Sequence, residues 1–287
     1  HHRHIARLAG VSVSTVSRAL NGSELVNAET RERISTLARE LNYSINLGAK
    51  NLRLQRNHTI AVVIPYDAVS RQHITDPFFL SILGGLADAI TDRGYDMLLS
   101  RVDSENLDAA ARLVDSGVAI GVVLIGQWRH HDQLNRLAAR KLPIVVWGAQ
   151  LPQQLYCTVG GDNVRGGRLA TEHLLQQGRK RIVFLGDPQL PEVAQRLAGY
   201  RTALAAAKVA PHAELELAVP FEVGAARAAV ASLLDRGVAF DAVLGCSDLL
   251  AISAMQVLRE RGRDVPRDVA VVGYDDMPLA NYCDPPL

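Results

Sequence analysis

Two groups of residues in this 287-residue chain have side-chain types and spacings that could do chemistry. The first is Ser12-Val13-Ser14-Thr15-Val16-Ser17-Arg18, opening a helix predicted from Val13 to Leu20. Helical spacing turns Val16, Ala19 and Leu20 to one side and leaves Val13, Ser14, Ser17 and Arg18 on the other. Such small, hydroxylated and cationic side chains suit a DNA major groove. A guanidinium pairs with guanine O6 and N7, hydroxyls bond bases or phosphates, and Val13 can touch a thymine methyl. The same face would also serve as the hydrated side of a capped helical hairpin. The second group lies where apolar runs end: Asp76-Pro77-Phe78-Phe79, Trp147, Arg196, Ser247-Asp248 and Tyr274-Asp275-Asp276. Aromatic faces cover the C–H side of a sugar, carboxylates accept from adjacent hydroxyls, and arginine donates to ring or hydroxyl oxygens. Structural uses stand beside these: Phe79 as core, Asp248 as a helix cap, Asp276 as a turn residue.

Other chemistries lack their signatures. There is no Gly-x-Gly, no Gly-Lys-Ser/Thr, no Gly-x-Ser-x-Gly and no His-Glu-x-x-His. Dinucleotide, P-loop, hydrolase and zinc-protease readings therefore lose their motifs, and the expectation is a protein that is not an enzyme and needs no cofactor or metal. The adjacent His130 and His131 fall at a predicted helix start, a solvated position rather than a metal site. Cys157, Cys246 and Cys283 form no Cys-x-x-Cys pair and no disulfide framework, which fits a reducing cytosol. The longest apolar stretch, Val118 to Gly126, stops far short of the eighteen or so residues a spanning helix needs. A soluble, cytoplasmic protein is expected.

The elements that must position these residues divide near Asn57. Residues 1–57 hold nine Lys/Arg and four Asp/Glu, a net charge of +5, whereas the remainder carries −4. A basic head on a mildly acidic body implies that the head meets a polyanion. In the head, Ile5, Leu8 and Ala9 predict a first helix stopping at Gly10. Ser12 caps the second, which Asn21-Gly22 closes, and Asn27 caps a third with the apolar stripe Ile34, Leu37, Ala38 and Leu41. That plan is a helix-turn-helix unit. In the body, strands are predicted at 60–64, 97–99, 118–125, 144–147, 182–185, 242–245 and 269–272, with helices including 78–93, 164–177, 192–208 and 249–261. Repeated βα units mean parallel sheets covered on both faces, with ligands beyond the carboxyl ends of the strands. The Gly-Gly-Asp turn within 156–162 marks a crossing between two subdomains.

The run from Ile5 to Asn21, continued by Thr30-Arg31-Glu32-Arg33-Ile34 and Leu41-Asn42-Tyr43, resembles the headpiece of the lactose-repressor (LacI-type) family of bacterial transcription regulators. Gln195-Arg196-Leu197-Ala198-Gly199-Tyr200, Ser247-Asp248 and Val271-Val272-Gly273-Tyr274-Asp275-Asp276 resemble further family landmarks, so the likeness spans essentially the whole chain. It implies an α/β protein: a helix-turn-helix headpiece (1–44), a hinge helix and linker (45–57), and a periplasmic-binding-protein-like effector domain of two parallel-sheet subdomains (58–158 and 159–287), the last cut short at the carboxyl end. It implies that Val13, Ser14 and Arg18 read operator bases and that Ser12, Thr15, Ser17 and Asn21 hold phosphates. Asn46, Ala49, Lys50 and Leu52 would act from the hinge, with Leu52 wedged into the minor groove. A basic linker is the plainer reading of that segment. Phe78, Phe79, Trp147, Arg196, Ser247 and Asp275 would contact the effector.

The sequence departs from the family pattern at Ile45, in place of a usual proline, at Gly48 within the hinge, at His4 and at Ser247, where asparagine is more usual. The headpiece also looks shortened at its start. The resemblance implies a homodimer on a pseudo-palindromic double-stranded DNA operator, acting as a repressor in the bacterial cytoplasm on the nucleoid. The effector expected is a saccharide. A purine- or nucleoside-responsive repressor and a sugar-binding protein without regulatory activity remain the alternatives, since a stacked ring serves a nucleobase equally well.

Overall fold

The computed structural model describes residues 2–20, 23–41, 57–67 and 73–287. The chain forms two compact units, His1–Asn57 and His58–Leu287.

The first unit contains helices α1 (His2–Ala9), α2 (Val13–Leu20) and α3 (Ala28–Glu40). α1 stops at Gly10, whose φ of +63° is easy for glycine and lets the Val11 N–H reach the Ala6 carbonyl at 3.0 Å. Ser12 Oγ accepts from the Thr15 N–H at 3.0 Å and Asn27 Oδ1 from the Thr30 N–H at 2.8 Å, so each following helix starts on a side-chain cap. The core is small: Ile5, Ala6, Ala9, Val16, Ala19, Val26, Ile34 and Ala38. Leu8 does not take its expected place in it and is 51% exposed. The buried arc of α1 runs through Ile5, Ala9 and Ala6, which leaves Leu8 about 100° away around the helix. Leu41 lies one residue beyond α3 and is also exposed. Arg31 closes the loop before α3 by donating to the Ser23 and Val26 carbonyls, both at 2.9 Å, and Arg33 ties α3 to Ala9 O at 3.1 Å.

The second unit holds two wholly parallel sheets. Strands β1 (Thr59–Tyr66), β2 (Asp96–Asp103), β3 (Gly121–Ile125), β4 (Ile144–Trp147) and β5 (Cys157–Val159) lie in the order β2-β1-β3-β4-β5. Helices α4 (Pro77–Asp92), α5 (Asp108–Asp115) and α6 (His131–Ala139) connect the first four. Along β1, Ala61 and Val63 pack with Leu107, Ala110, Leu134 and Leu137, while Val62 and Ile64 pack with Phe79, Leu83 and Ile90. Burial on both faces is why this strand reads as a continuous apolar run.

The second sheet has β6 (Ile182–Leu185), β7 (Glu216–Leu217), β8 (Ala242–Gly245) and β9 (Ala270–Val272) in the order β7-β6-β8-β9. It is accompanied by α7 (Asn163–Gln176), α8 (Pro191–Ala206), α9 (Val223–Asp235) and α10 (Asp248–Glu260). In both sheets the strand order reverses beside the first strand, which opens a crevice at the carboxyl ends of β1 and β3 and of β6 and β8.

The elements differ from the sequence reading in several places, and β2 runs Asp96–Asp103 rather than 97–99. β3 begins at Gly121 rather than 118, because the preceding residues turn back, with the Ala119 N–H on the Leu113 carbonyl and Val118 and Ile120 exposed. β5 and β7, too short to carry a pattern, were not anticipated. β5 also keeps Val159 in the first sheet, one residue past the expected subdomain boundary. Among the described residues no helix is long and apolar enough to cross a membrane.

Candidate functional site

On α2, the packing of Val16 and Ala19 into the head core fixes which face turns outward. Val13, Ser14 and Arg18 are exposed on that face, and Thr15 and Ser17 are half-buried at its edges. Ser12 Oγ lies 2.8 Å from both Ser14 Oγ and Thr15 Oγ1, so the hydroxyls form a linked cluster at the start of the helix, where backbone N–H groups and the helix dipole favour an anion. Of the other residues expected to touch DNA, Asn21, Asn46, Ala49, Lys50 and Leu52 lie outside the described residues, as do Ile45 and Gly48.

The two crevices of the second unit open into one cavity of about 450 Å³. Asp76, Phe78 and Phe79 reach it from the start of α4, and Gly126, Trp128 and Trp147 from the ends of β3 and β4. Glu192 and Arg196 come from α8, Ser247 and Asp248 from the start of α10, and Tyr274 and Asp275 from beyond β9. All six residues expected at the effector site therefore line one cavity. Phe78 packs 5.8 Å from Phe79 and 6.1 Å from Trp147, centroid to centroid, and these rings make a continuous aromatic wall. Phe79 is also buried in the core with Val62 and Leu83, so its structural use and its place on the wall coexist.

Arg196 is held rather than merely present. Its Nε–H donates to Asn163 Oδ1 at 2.9 Å, a second N–H donates to the Cys246 carbonyl, and its guanidinium lies 3.7 Å over the Tyr274 ring. This depends on the close crossing of α7 and α8: a Cβ on Gly167 would lie 2.1 Å from the Arg196 carbonyl oxygen. Next to Tyr274, Asp275 adopts φ of +100°, a region sparsely populated by non-glycine residues. Its surroundings push the carboxyl up to about 7, mainly through desolvation, with Arg196 pulling the other way and Asp248 and Asp76 adding like charge.

One expected structural role changes. Asp248 does not cap the helix that follows; Ser247 does, accepting from the Leu250 N–H at 3.3 Å. Asp248 instead turns back and accepts from the Met277 N–H at 2.7 Å, while its own N–H donates to the Tyr274 carbonyl at 2.8 Å. That pair holds the loop bearing Asp275. Ser247 lines the cavity while its Oγ caps α10 as an acceptor.

Trp128, Asn163, Glu192 and Phe221 also line the cavity and were missed. Glu192 stands four residues before Arg196, on the same helix face, a spacing that could have revealed it. Burial pushes its carboxyl above the usual range, against a bond from its own N–H and the charge of Arg196. Asn163 could have been noticed only through the helix crossing, and Trp128 and Phe221 sit in loops with no periodic signal.

Residues 3–46 match the family described as bacterial regulatory proteins, lacI family, and residues 171–287 match a periplasmic binding protein-like domain. The HTH-type transcriptional regulator CelR of Thermobifida fusca is 37% identical over 99% of this chain and 84% of its own length. The ribose operon repressor of Haemophilus influenzae is 32% identical, with the same coverage of the two chains. Among solved structures, a complex of the regulator CelR with cellobiose aligns with a TM-score of 0.70 at 34% identity, covering 100% of this chain and 86% of that one. The lac repressor dimer bound to operator and an anti-inducer aligns with a TM-score of 0.84 at 26% identity, covering 99% and 84%. The chain belongs to the lacI family of bacterial regulatory proteins, joining a DNA-binding head to an effector-binding body.

Proposed function

We propose that this protein is a transcriptional repressor that binds a pseudo-palindromic operator as a homodimer and changes its operator affinity when a saccharide enters the body cavity. The observation that carries the proposal is the aromatic-walled cavity holding Arg196 and Asp275 where the switch points of two parallel sheets meet. In this reading Val13, Ser14 and Arg18 read bases, and Ser12, Thr15 and Ser17, with Asn21, hold phosphates. Phe78, Phe79 and Trp147 stack on the ligand, and Arg196 and Asp275 bond its hydroxyls. Asn46, Ala49, Lys50 and Leu52 would make the hinge contacts. The work is binding rather than catalysis, and its setting is the bacterial cytoplasm.

Ligand and operator act on each other because each binds one arrangement of the protein better than the other, and the coupling is reciprocal. Support for a saccharide also comes from the relatives, one a regulator solved in complex with cellobiose and another named for the ribose operon. Thermal unfolding against mono- and disaccharides, sugar phosphates, purines and nucleosides tests the effector class. A ligand at 100 times its dissociation constant should add about 2.7 kcal/mol. Stabilisation by a purine or nucleoside alone would replace the saccharide.

A further inference from the structure

Three consecutive residues form the turn that follows β3. Gly126 takes φ of +99° and Trp128 φ of +50°, and the Trp128 indole folds back over Gly126, where a Cβ would lie 3.3 Å from its Nε1. Gln127, between them, is wholly buried and does not itself line the cavity. Its amide grips the backbone beyond the neighbouring strand β4. Oε1 accepts from the Ala149 N–H at 2.8 Å, and Nε2 donates to the Ala149 carbonyl and, at 3.0 Å, to the Tyr156 hydroxyl. His131 Nδ1 lies 2.8 Å from the same hydroxyl. The fit is close: a Cβ on Gly148 would lie 2.7 Å from the Gln127 side chain, and one on Gly160 would lie 2.2 Å from the Gly148 carbonyl oxygen.

Gln127 therefore ties the residue before Trp128 to the second residue after Trp147. These are the two tryptophans of the chain, and both line the cavity. One residue further on, the Gln150 carbonyl accepts from Gln195 Nε2 of α8 at 2.9 Å, beside Arg196. We infer that Gln127 is a positioning residue of the effector site: without touching a ligand, it holds both indoles on the cavity wall and fixes the backbone that α8 grasps. The inference rests on the effector reading given above and adds a residue to it. A primary amide presents one acceptor and one donor side by side, which matches the N–H and carbonyl of a single residue, and glutamine is the uncharged side chain of this length that carries one.

The test is acrylamide quenching of the intrinsic tryptophan emission of the full chain, which reports the cavity wall because both indoles lie on it. Gln127→Met keeps the length and removes donor and acceptor. It should raise the quenching constant and shift the emission to the red. It should also weaken, severalfold or more, whichever of glucose, ribose, cellobiose and maltose binds the unaltered chain. Leu137→Ala, a lesion in the core on the other face of the same sheet, should lower the melting temperature and leave emission and quenching unchanged. A Gln127→Met chain that melts lower yet keeps the original quenching and sugar affinity overturns the inference, because the amide would then serve the fold alone. A measurement on the unaltered chain is independent of how the variant folds: the Ala149 N–H should exchange slowly with deuterium, and fast exchange there contradicts the grip of Gln127. Emission that responds to adenosine or hypoxanthine and to none of the sugars, or to none of these compounds, overturns the saccharide reading, and the quenching comparison then decides the role of Gln127 by itself.

Discussion

Asp275 shows what a proposed ligand contact costs the molecule that holds it. Its backbone is left-handed and its carboxyl is raised to about 7, so at neutral pH the cavity wall holds a carboxyl that the fold resists ionising. For an acid whose folded value lies above its unfolded one, the stabilising contribution is complete below the ordinary aspartate range and is lost as pH rises through about 7. Asp275→Asn, which tolerates the same backbone, should therefore melt above the unaltered chain at pH 8, with the difference vanishing near pH 4, while saccharide affinity falls. A melting difference independent of pH would remove Asp275 from this role. On the head, Arg18→Ala should cost about 1–3 kcal/mol at one base position per half-site and relax preference there, checked by selection from randomised DNA. Residue types brought Arg18, Arg196 and Asp275 into view as candidates, and the resemblance to the family singled them out from the structural uses that such residues also have. Glu192 and Phe221 stayed hidden, since an acid in a first turn and an aromatic in a loop have commoner uses.

At the scale of elements, the cavity is a consequence of helix crossings and loop anchors. The contact between α7 and α8 has no room for a side chain at Gly167, and it is this approach that lays Arg196 against Asn163. Gly167→Ala should cost about 1–3 kcal/mol by overpacking and weaken saccharide binding by tilting Arg196, seen together in melting and calorimetry. A variant that lost stability with unchanged affinity would show that the crossing does not position the arginine. In the head, Ile34 is wholly buried in a core with eight buried hydrophobic residues among those described. Ile34→Ala should remove about 2–5 kcal/mol from a unit whose size allows roughly 3–8. DNA binding should then be lost while saccharide binding by the body persists. Strands 144–147, 182–185 and 242–245 were legible to the residue because each is an apolar run bounded by polar or turn residues. β7 was not, since Glu216-Leu217 carries no periodicity, and Leu8 deceived because a short amphipathic helix can be read with its stripe rotated.

For the whole molecule, the charge asymmetry visible in the sequence separates the same two bodies that the fold does, a basic unit ending at Asn57 and an acidic one beginning at His58. Regulation requires that a ligand in the second alter the DNA affinity of the first, which no static geometry of either can supply alone. The coupling is therefore the central claim. Its most direct test is fluorescence anisotropy of a palindrome selected by this protein from random DNA, measured at fixed salt with and without the saccharide that stabilises the body. The expected result is sequence-specific binding whose affinity shifts severalfold with the sugar and does not shift in Asp275→Asn. Equal operator affinity with and without a sugar known to be bound would contradict it.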